Sequence, residues 1–245
     1  MKIQTLLASL LVSSAAMAQT PTMKPIVMKT PNEFQILAAS GNGKWACGVY
    51  SDYSNVQYGF LWNLETGEIE MLDPSKPSVA WSVSDDGLVV GQYEDTSYKS
   101  NGAAVELAGY WANGKWNRFE MPSDEVSGAG AASISPDGHY VTGHVEESGI
   151  YTGYIWKDGK IAKELINTNC SMPYAIAPDG QSAAGWIQRD NRTACIWEAD
   201  GEVTFLSDYQ SPWSSARKYT HDGKNLLYWG GWDDMEAENA VVYAI

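Results

Sequence analysis

The stretch Ala132-Ser133-Ile134-Ser135-Pro136-Asp137-Gly138, followed after a short run by Gly143, decides the fold because the chain repeats it. Tyr174-Ala175-Ile176-Ala177-Pro178-Asp179-Gly180 leads to Gly185, and Trp81-Ser82-Val83-Ser84-Asp85-Asp86-Gly87 leads to Gly91. Ile36 through Gly43 leads to Gly48. Lys218-Tyr219-Thr220-His221-Asp222-Gly223 is a fifth copy, with Tyr228 in place of the second glycine. The turn glycines at 43, 87, 138, 180 and 223 are therefore 44, 51, 42 and 43 residues apart.

Each copy has a second half that ends in an aromatic: Phe60-Leu61-Trp62, Gly109-Tyr110-Trp111, Tyr154-Ile155-Trp156, Cys195-Ile196-Trp197 and Val241-Val242-Tyr243. After each Trp comes another glycine turn, at Gly67, Gly114, Gly159 and Gly201. Asp-Gly and Asn-Gly between short apolar runs are hairpin signals, because the turn needs a positive φ that glycine adopts without strain. One repeat thus reads as four antiparallel strands, which at about 40–45 residues is the spacing of a propeller blade. A linear β-solenoid is the competing arrangement, with shorter and less turn-rich repeats. The expected fold is all-β: a β-propeller of five four-stranded blades. The blades span about 34–77, 78–128, 129–170, 171–213 and 214–245. The recurring Trp would fill the layer between blades.

The fifth repeat stops at Ala244-Ile245 without an outermost strand, and residues 19–33 contain an unassigned apolar run, Pro25-Ile26-Val27-Met28. If that run supplies the missing strand, the ring closes and few edges stay exposed. A truncated member of a longer family is the alternative.

The pattern of a small residue, Ser or Ala, Asp-Gly, a glycine and then an aromatic-aliphatic-Trp run resembles the bacterial extracellular HAF-repeat family. Tyr58-Gly59-Phe60-Leu61-Trp62 and Thr152-Gly153-Tyr154-Ile155-Trp156 are the nearest copies, though neither has the family's leading His. The resemblance spans residues 34–245. It implies secretion and a propeller-like fold, and it carries over no single activity.

Residues 1–18 read as a secretory signal. Lys2 is the basic start, Leu6 to Val12 the apolar run, and Ala16-Met17-Ala18 a small-x-small cleavage site. The apolar run is too short to span a bilayer, so no membrane insertion is expected. The expected location is secreted or periplasmic, after cleavage near Ala18-Gln19. Thirty Asp and Glu against 16 Lys and Arg give a net charge of −14, which argues against generic binding to nucleic acid or anionic lipid. Cys47 and Cys195 fall where other repeats place core residues and are read as small buried hydrophobes, a disulfide being the alternative. Cys170 lies in a connection.

The two short turns of each blade emerge on one face. The connections from strand two to strand three and the crossings between blades emerge on the other, where variable loops would carry a binding site. Candidate ligand-binding residues are Trp81, Tyr93, Trp186, Arg189, Trp213, Trp232 and Asp233. Flat aromatic faces beside hydrogen-bonding side chains suit sugar rings; packing between blades or plugging the channel is the alternative for the same aromatics. No G-x-S-x-G elbow, P-loop or HExxH occurs. His139 and His221 flank turns and His144 could face the ring, but one His makes neither a triad nor a metal site. No cofactor or metal is expected. Loop carboxylates for glycan cleavage would be Glu94, Asp95, Glu146, Glu147, Asp190, Asp233 or Asp234. The reading is therefore a non-enzymatic binding module for a glycan or an extracellular protein. A glycan-cleaving enzyme and a structural subunit of a surface assembly are the alternatives.

Overall fold

All five turn glycines adopt the left-handed conformation, with φ of 73° at Gly43, 86° at Gly87, 80° at Gly138, 73° at Gly180 and 72° at Gly223. The residues before them tie the turn. Asp137 Oδ1 accepts hydrogen bonds from the Ser135 hydroxyl at 2.5 Å and the His139 amide at 3.1 Å, and Ser135 Oγ in turn accepts from the Tyr140 amide at 3.0 Å. Asp222 repeats this with Thr220 and the Lys224 amide. Burial pushes the Asp137 carboxyl up, but these bonds outweigh it and hold it below the usual carboxylate range. The recurring acid is thus part of its own turn.

The computed structural model describes residues 33–52, 54–100, 102–165, 170–206, 213–230 and 240–244. The first sheet contains β1 (Glu33–Ala39), β2 (Trp45–Ser51), β3 (Gln57–Asn63) and β4 (Ile69–Met71). The second contains β5 (Ser78–Val83), β6 (Val89–Ser100), β7 (Ala103–Ala112) and β8 (Lys115–Arg118). The third contains β9 (Gly128–Ile134), β10 (Tyr140–Glu147), β11 (Ile150–Lys157) and β12 (Lys160–Leu165). The fourth contains β13 (Ser171–Ile176), β14 (Ala183–Gln188), β15 (Arg192–Trp197) and β16 (Val203–Phe205). The fifth, among the described residues, contains β17 (Ser214–Tyr219), β18 (Asn225–Gly230) and β19 (Ala240–Ala244). Strands within a sheet are ordered as in sequence, and all pair antiparallel. The result is a β-propeller. The closing strand expected from Pro25–Met28 and the secretory signal lie outside the described residues.

Each innermost strand seats on the preceding sheet: β5 on β1–β3, β9 on β5–β7, β13 on β9–β11, and β17 on β13–β15. A polar stitch accompanies this packing. Ser78, Ser171 and Ser214 are buried at the starts of three inner strands. Their hydroxyls accept the amides of Gly59, Gly153 and Ala194 from the preceding blade at 2.7–2.9 Å. The recurring Trp reaches back in the same direction. Trp111 Nε1 donates to Glu70 at 2.9 Å, and Trp156 Nε1 donates to the Glu120 carbonyl at 2.8 Å. Trp62 and Trp197 are buried like Trp156, but among the described residues their Nε1 atoms have no partner. The first and fifth blades meet at the axis, where the His221 ring lies so close over Gly41 that a Cβ there would sit 1.9 Å from its Nδ1.

The three cysteines are free, with Cys47 and Cys195 buried as expected. Burial pushes the Cys47 thiol up to about 12 and raises Cys195 as well.

The connections from strand two to strand three differ from the long loops expected. In the second blade, β6 and β7 run on as a hairpin almost to Gly102, and in the third only Ser148 and Gly149 separate β10 from β11. Pairing continues past the second glycine, so strands take up the spacing that suggested loops. Glu94, Asp95, Glu146 and Glu147 are consequently strand residues rather than loop carboxylates.

Candidate ligand-binding site

The second glycine of the repeat is explained by a β-bulge on the strand opposite. In every blade the innermost strand carries one extra residue at the same place: Leu37, Trp81, Ala132, Tyr174 and Arg217. Each lies six positions before its turn glycine. The bulge drives a backbone carbonyl into the neighbouring strand. A Cβ on Gly48, Gly91, Gly143 or Gly185 would lie 1.8–2.1 Å from that oxygen, on Gln35, Val79, Gly130 or Met172 respectively. The fifth blade has its bulge opposite Tyr228.

All five bulged residues line one axial cavity of about 730 Å³, within the range of small-ligand sites. The residue after the second glycine, or after Tyr228 in the fifth blade, backs the bulged one in three blades. Trp81 Nε1 donates to Gln92 Oε1 at 3.2 Å, and Gln92 Nε2 donates to Glu106 at 2.7 Å, which fixes the amide's orientation. Trp186 Nε1 approaches the Tyr174 hydroxyl at 3.4 Å. The Arg217 guanidinium lies 5.6 Å from the Trp229 ring centroid. On the third blade, Gly130 and Ala132 keep the wall low, and a Cβ on Gly130 would meet His144 at 3.0 Å and Gln92 at 3.1 Å. His144 lines the cavity and packs edge-on against Tyr151 at 5.4 Å. Burial pushes its imidazole down to about 4, so it is neutral at pH 7.

The cavity narrows toward the turns, where Ser133, Ile134, Pro136, Pro178 and His221 line a space of about 130 Å³. Lys218 borders both spaces. Its ammonium is held below the usual lysine range by loss of hydration, partly offset by the nearby Cys47 sulfur. The wide end faces the connections between strands two and three.

Of the residues expected to bind ligand, Trp81 lines this cavity and is 40% exposed. Trp213 is 43% exposed and stacks on the Arg192 guanidinium at 4.8 Å, with Trp186 on the same group at 4.6 Å. Trp186 itself is 4% exposed and supports that stack rather than offering an open platform. Arg189 lies over the Phe205 ring at 4.5 Å and does not line the cavity. Tyr93 is not presented to a ligand. It is 4% exposed and stacked on Trp116 at 5.4 Å between blades, because strand alternation turns Gln92 to the channel and its neighbour to the core. Its hydroxyl donates to Asp95 at 3.1 Å. Burial pushes the Asp95 carboxyl up, but Ser97, Tyr93 and Arg118 together hold it below the usual range. Trp232 and Asp233 lie outside the described residues. Sequence reading missed Gln92, Tyr174, Arg192, Arg217 and Lys218. The signal for Tyr174 and Arg217 was their fixed offset from the turn glycine.

Among the described residues, no three His, Cys, Asp or Glu side chains come together in a way that could hold a metal ion.

No family model matches the chain, and no curated protein matches it. Solved structures do. An oligogalacturonate lyase from Vibrio parahaemolyticus is 11% identical, with a TM-score of 0.56 over 87% of this chain and 66% of its own. An oligogalacturonate lyase in complex with manganese is 13% identical, with a TM-score of 0.55 over 89% of this chain and 67% of its own. TolB from Acinetobacter baumannii is 17% identical, with a TM-score of 0.48 over 83% of this chain. The chain spans 52% to 67% of the length of these three proteins. At such identities the likeness to the two lyases concerns the fold.

Proposed function

We propose that the chain is a secreted or periplasmic, non-enzymatic binding module of the HAF-repeat kind that takes a glycan into the wide end of its axial channel. The observation that carries this reading is the set of five bulged residues. The positions around them repeat from blade to blade, whereas Leu37, Trp81, Ala132, Tyr174 and Arg217 differ in size and chemistry while converging on one cavity. A repeated frame with a varied lining is what a specific pocket requires. Trp81 and Tyr174 supply flat apolar faces for sugar C–H groups, and Gln92 and Arg217 supply hydrogen-bonding partners for hydroxyls. Among the described residues the cavity wall carries no carboxylate. The sequence supports export through the signal-like residues 1–18. Among the described residues no helix is long and apolar enough to cross a membrane.

The test is a titration of intrinsic Trp fluorescence against purified glycans, with product formation assayed in the same wells. A saturable shift without product is expected. Product formation would replace this reading with a glycan-cleaving one. Silence across the panel would replace it with protein binding or surface assembly.

A further inference from the structure

We infer that the saccharide held in the channel is acidic, with a carboxylate seated between Arg217 and Lys218. This rests on the glycan-binding reading of the same cavity and names its ligand class. The chain is strongly acidic, at −14, yet among the described residues both ionised side chains of the cavity wall are cations, adjacent on β17. Neither has an ion-pair or side-chain hydrogen-bond partner among the described residues. The Arg217 guanidinium is flanked by the Tyr174 ring at 4.3 Å and the Trp229 ring at 5.6 Å. Those contacts are made through the ring faces and use none of its N–H donors, which a planar carboxylate would take through two parallel bonds. Lys218 stands where the wide cavity meets the narrow one, with its side chain exposed there. An anion beside it would pair with its ammonium while bonding to the Arg217 guanidinium.

The approach to this pair is also cationic. Arg192 is stacked between Trp186 at 4.6 Å and Trp213 at 4.8 Å. Trp186 meets Tyr174, so the two stacked arginines form one aromatic and guanidinium ladder across the fourth and fifth blades. In an otherwise acidic molecule this sector is where a negatively charged ligand is drawn in. Trp81 and Gln92 across the channel suit the sugar ring that bears the acid.

The test is calorimetric titration of the wild type, Arg217→Gln and Lys218→Gln with α-1,4-linked trigalacturonate and with the uncharged galactose trimer of the same linkage. The wild type is expected to bind the acidic trimer at least about tenfold more tightly, and each variant to lose about ten- to a hundredfold of that affinity, as for charge-assisted hydrogen bonds. In the variants the two trimers then bind nearly alike. Equal wild-type affinity for both trimers would overturn the acidic ligand and leave glycan binding intact, as would full competition by inorganic sulfate at the same concentration. Failure of both trimers, while neutral glycans of the wider panel bind, would overturn it in the same way. Failure of every glycan would remove the parent reading and this inference together. Thermal melting confirms that each variant is folded. If one is not, the wild-type preference between trimers decides.

Discussion

Replacing Gly143 by Ala places a methyl group 2.0 Å from the carbonyl oxygen of Gly130 and 2.9 Å from the Ala131 Cα, where real Cβ contacts essentially never fall below 3.0 Å. Both obstacles are backbone, so no rotamer change relieves them. The inner strand must retreat by about an ångström, disturbing the bulge that presents Ala132 to the channel. Overpacking of this kind costs about 1–3 kcal/mol. The rigid obstacle places Gly143→Ala near the upper end, and the reduced freedom of the unfolded chain returns about 0.4–1 kcal/mol. The net loss is about 2 kcal/mol, or a fall of about 4–8 °C in melting temperature for a domain of this size. Gly128→Ala is the matched control on the same sheet, because its new methyl meets only the Glu146 side chain, at 3.2 Å from Oε2, which can swing away. Its melting temperature is expected to stay within about 3 °C of wild type. Circular dichroism melts of the two variants read the difference. A Gly143→Ala protein that melts with the wild type would refute the account of the second glycine.

Trp156→Phe removes a fully buried indole and orphans the Glu120 carbonyl, so it is expected to cost about 2–4 kcal/mol in denaturant unfolding. Trp62→Phe, whose Nε1 has no partner, is expected to cost less. His144 is neutral in the fold with its imidazole pushed down to about 4, against 6.5 when unfolded. The unfolded chain therefore takes up a proton first as pH falls, and the stability His144 supplies above pH 6.5 drains away toward pH 4. Between pH 7 and 4.5 the wild type is expected to lose about 2–3 kcal/mol more than His144→Gln in urea titrations, and equal losses would contradict this. With thiol reagents at neutral pH, Cys170 is expected to react first, while the buried Cys47 and Cys195 react only on unfolding. Fast modification of all three, or protection of a disulfide pair, would count against that packing.

The fold was legible because its turns are written in chemistry that recurs. Gly138 and its four counterparts must take positive φ, and Trp62, Trp156 and Trp197 fill equivalent buried places. The site was less legible because one residue of phase decides which side chain sees the channel. Gln92 and Tyr93 are adjacent, yet Gln92 lines the cavity and Tyr93 stacks in the core. A strict alternation read along β5, β9 or β13 loses that phase at the bulge, where one extra residue shifts the register. Gly91, Gly143 and Gly185 mark the bulge, but their meaning depends on a carbonyl from another strand, a contact that no local pattern displays. The fifth repeat lacks that glycine, so Arg217 and Lys218 carried no landmark on the strand-two side. Arg192 is recognisable only once Trp186 and Trp213 are seen to enclose it.

Ligand entry at the wide end of the axial channel is tested by filling that end. Ala132 is the smallest of the five bulged residues and stands on the low wall of the cavity. Ala132→Trp adds an indole to that wall without crossing a buried interface. In calorimetric titration with the glycan that binds wild type most tightly, the account predicts at least about a thirtyfold loss of affinity, near 2 kcal/mol, with the melting temperature little changed. Unaltered binding by a folded Ala132→Trp protein would place the site elsewhere and contradict the account.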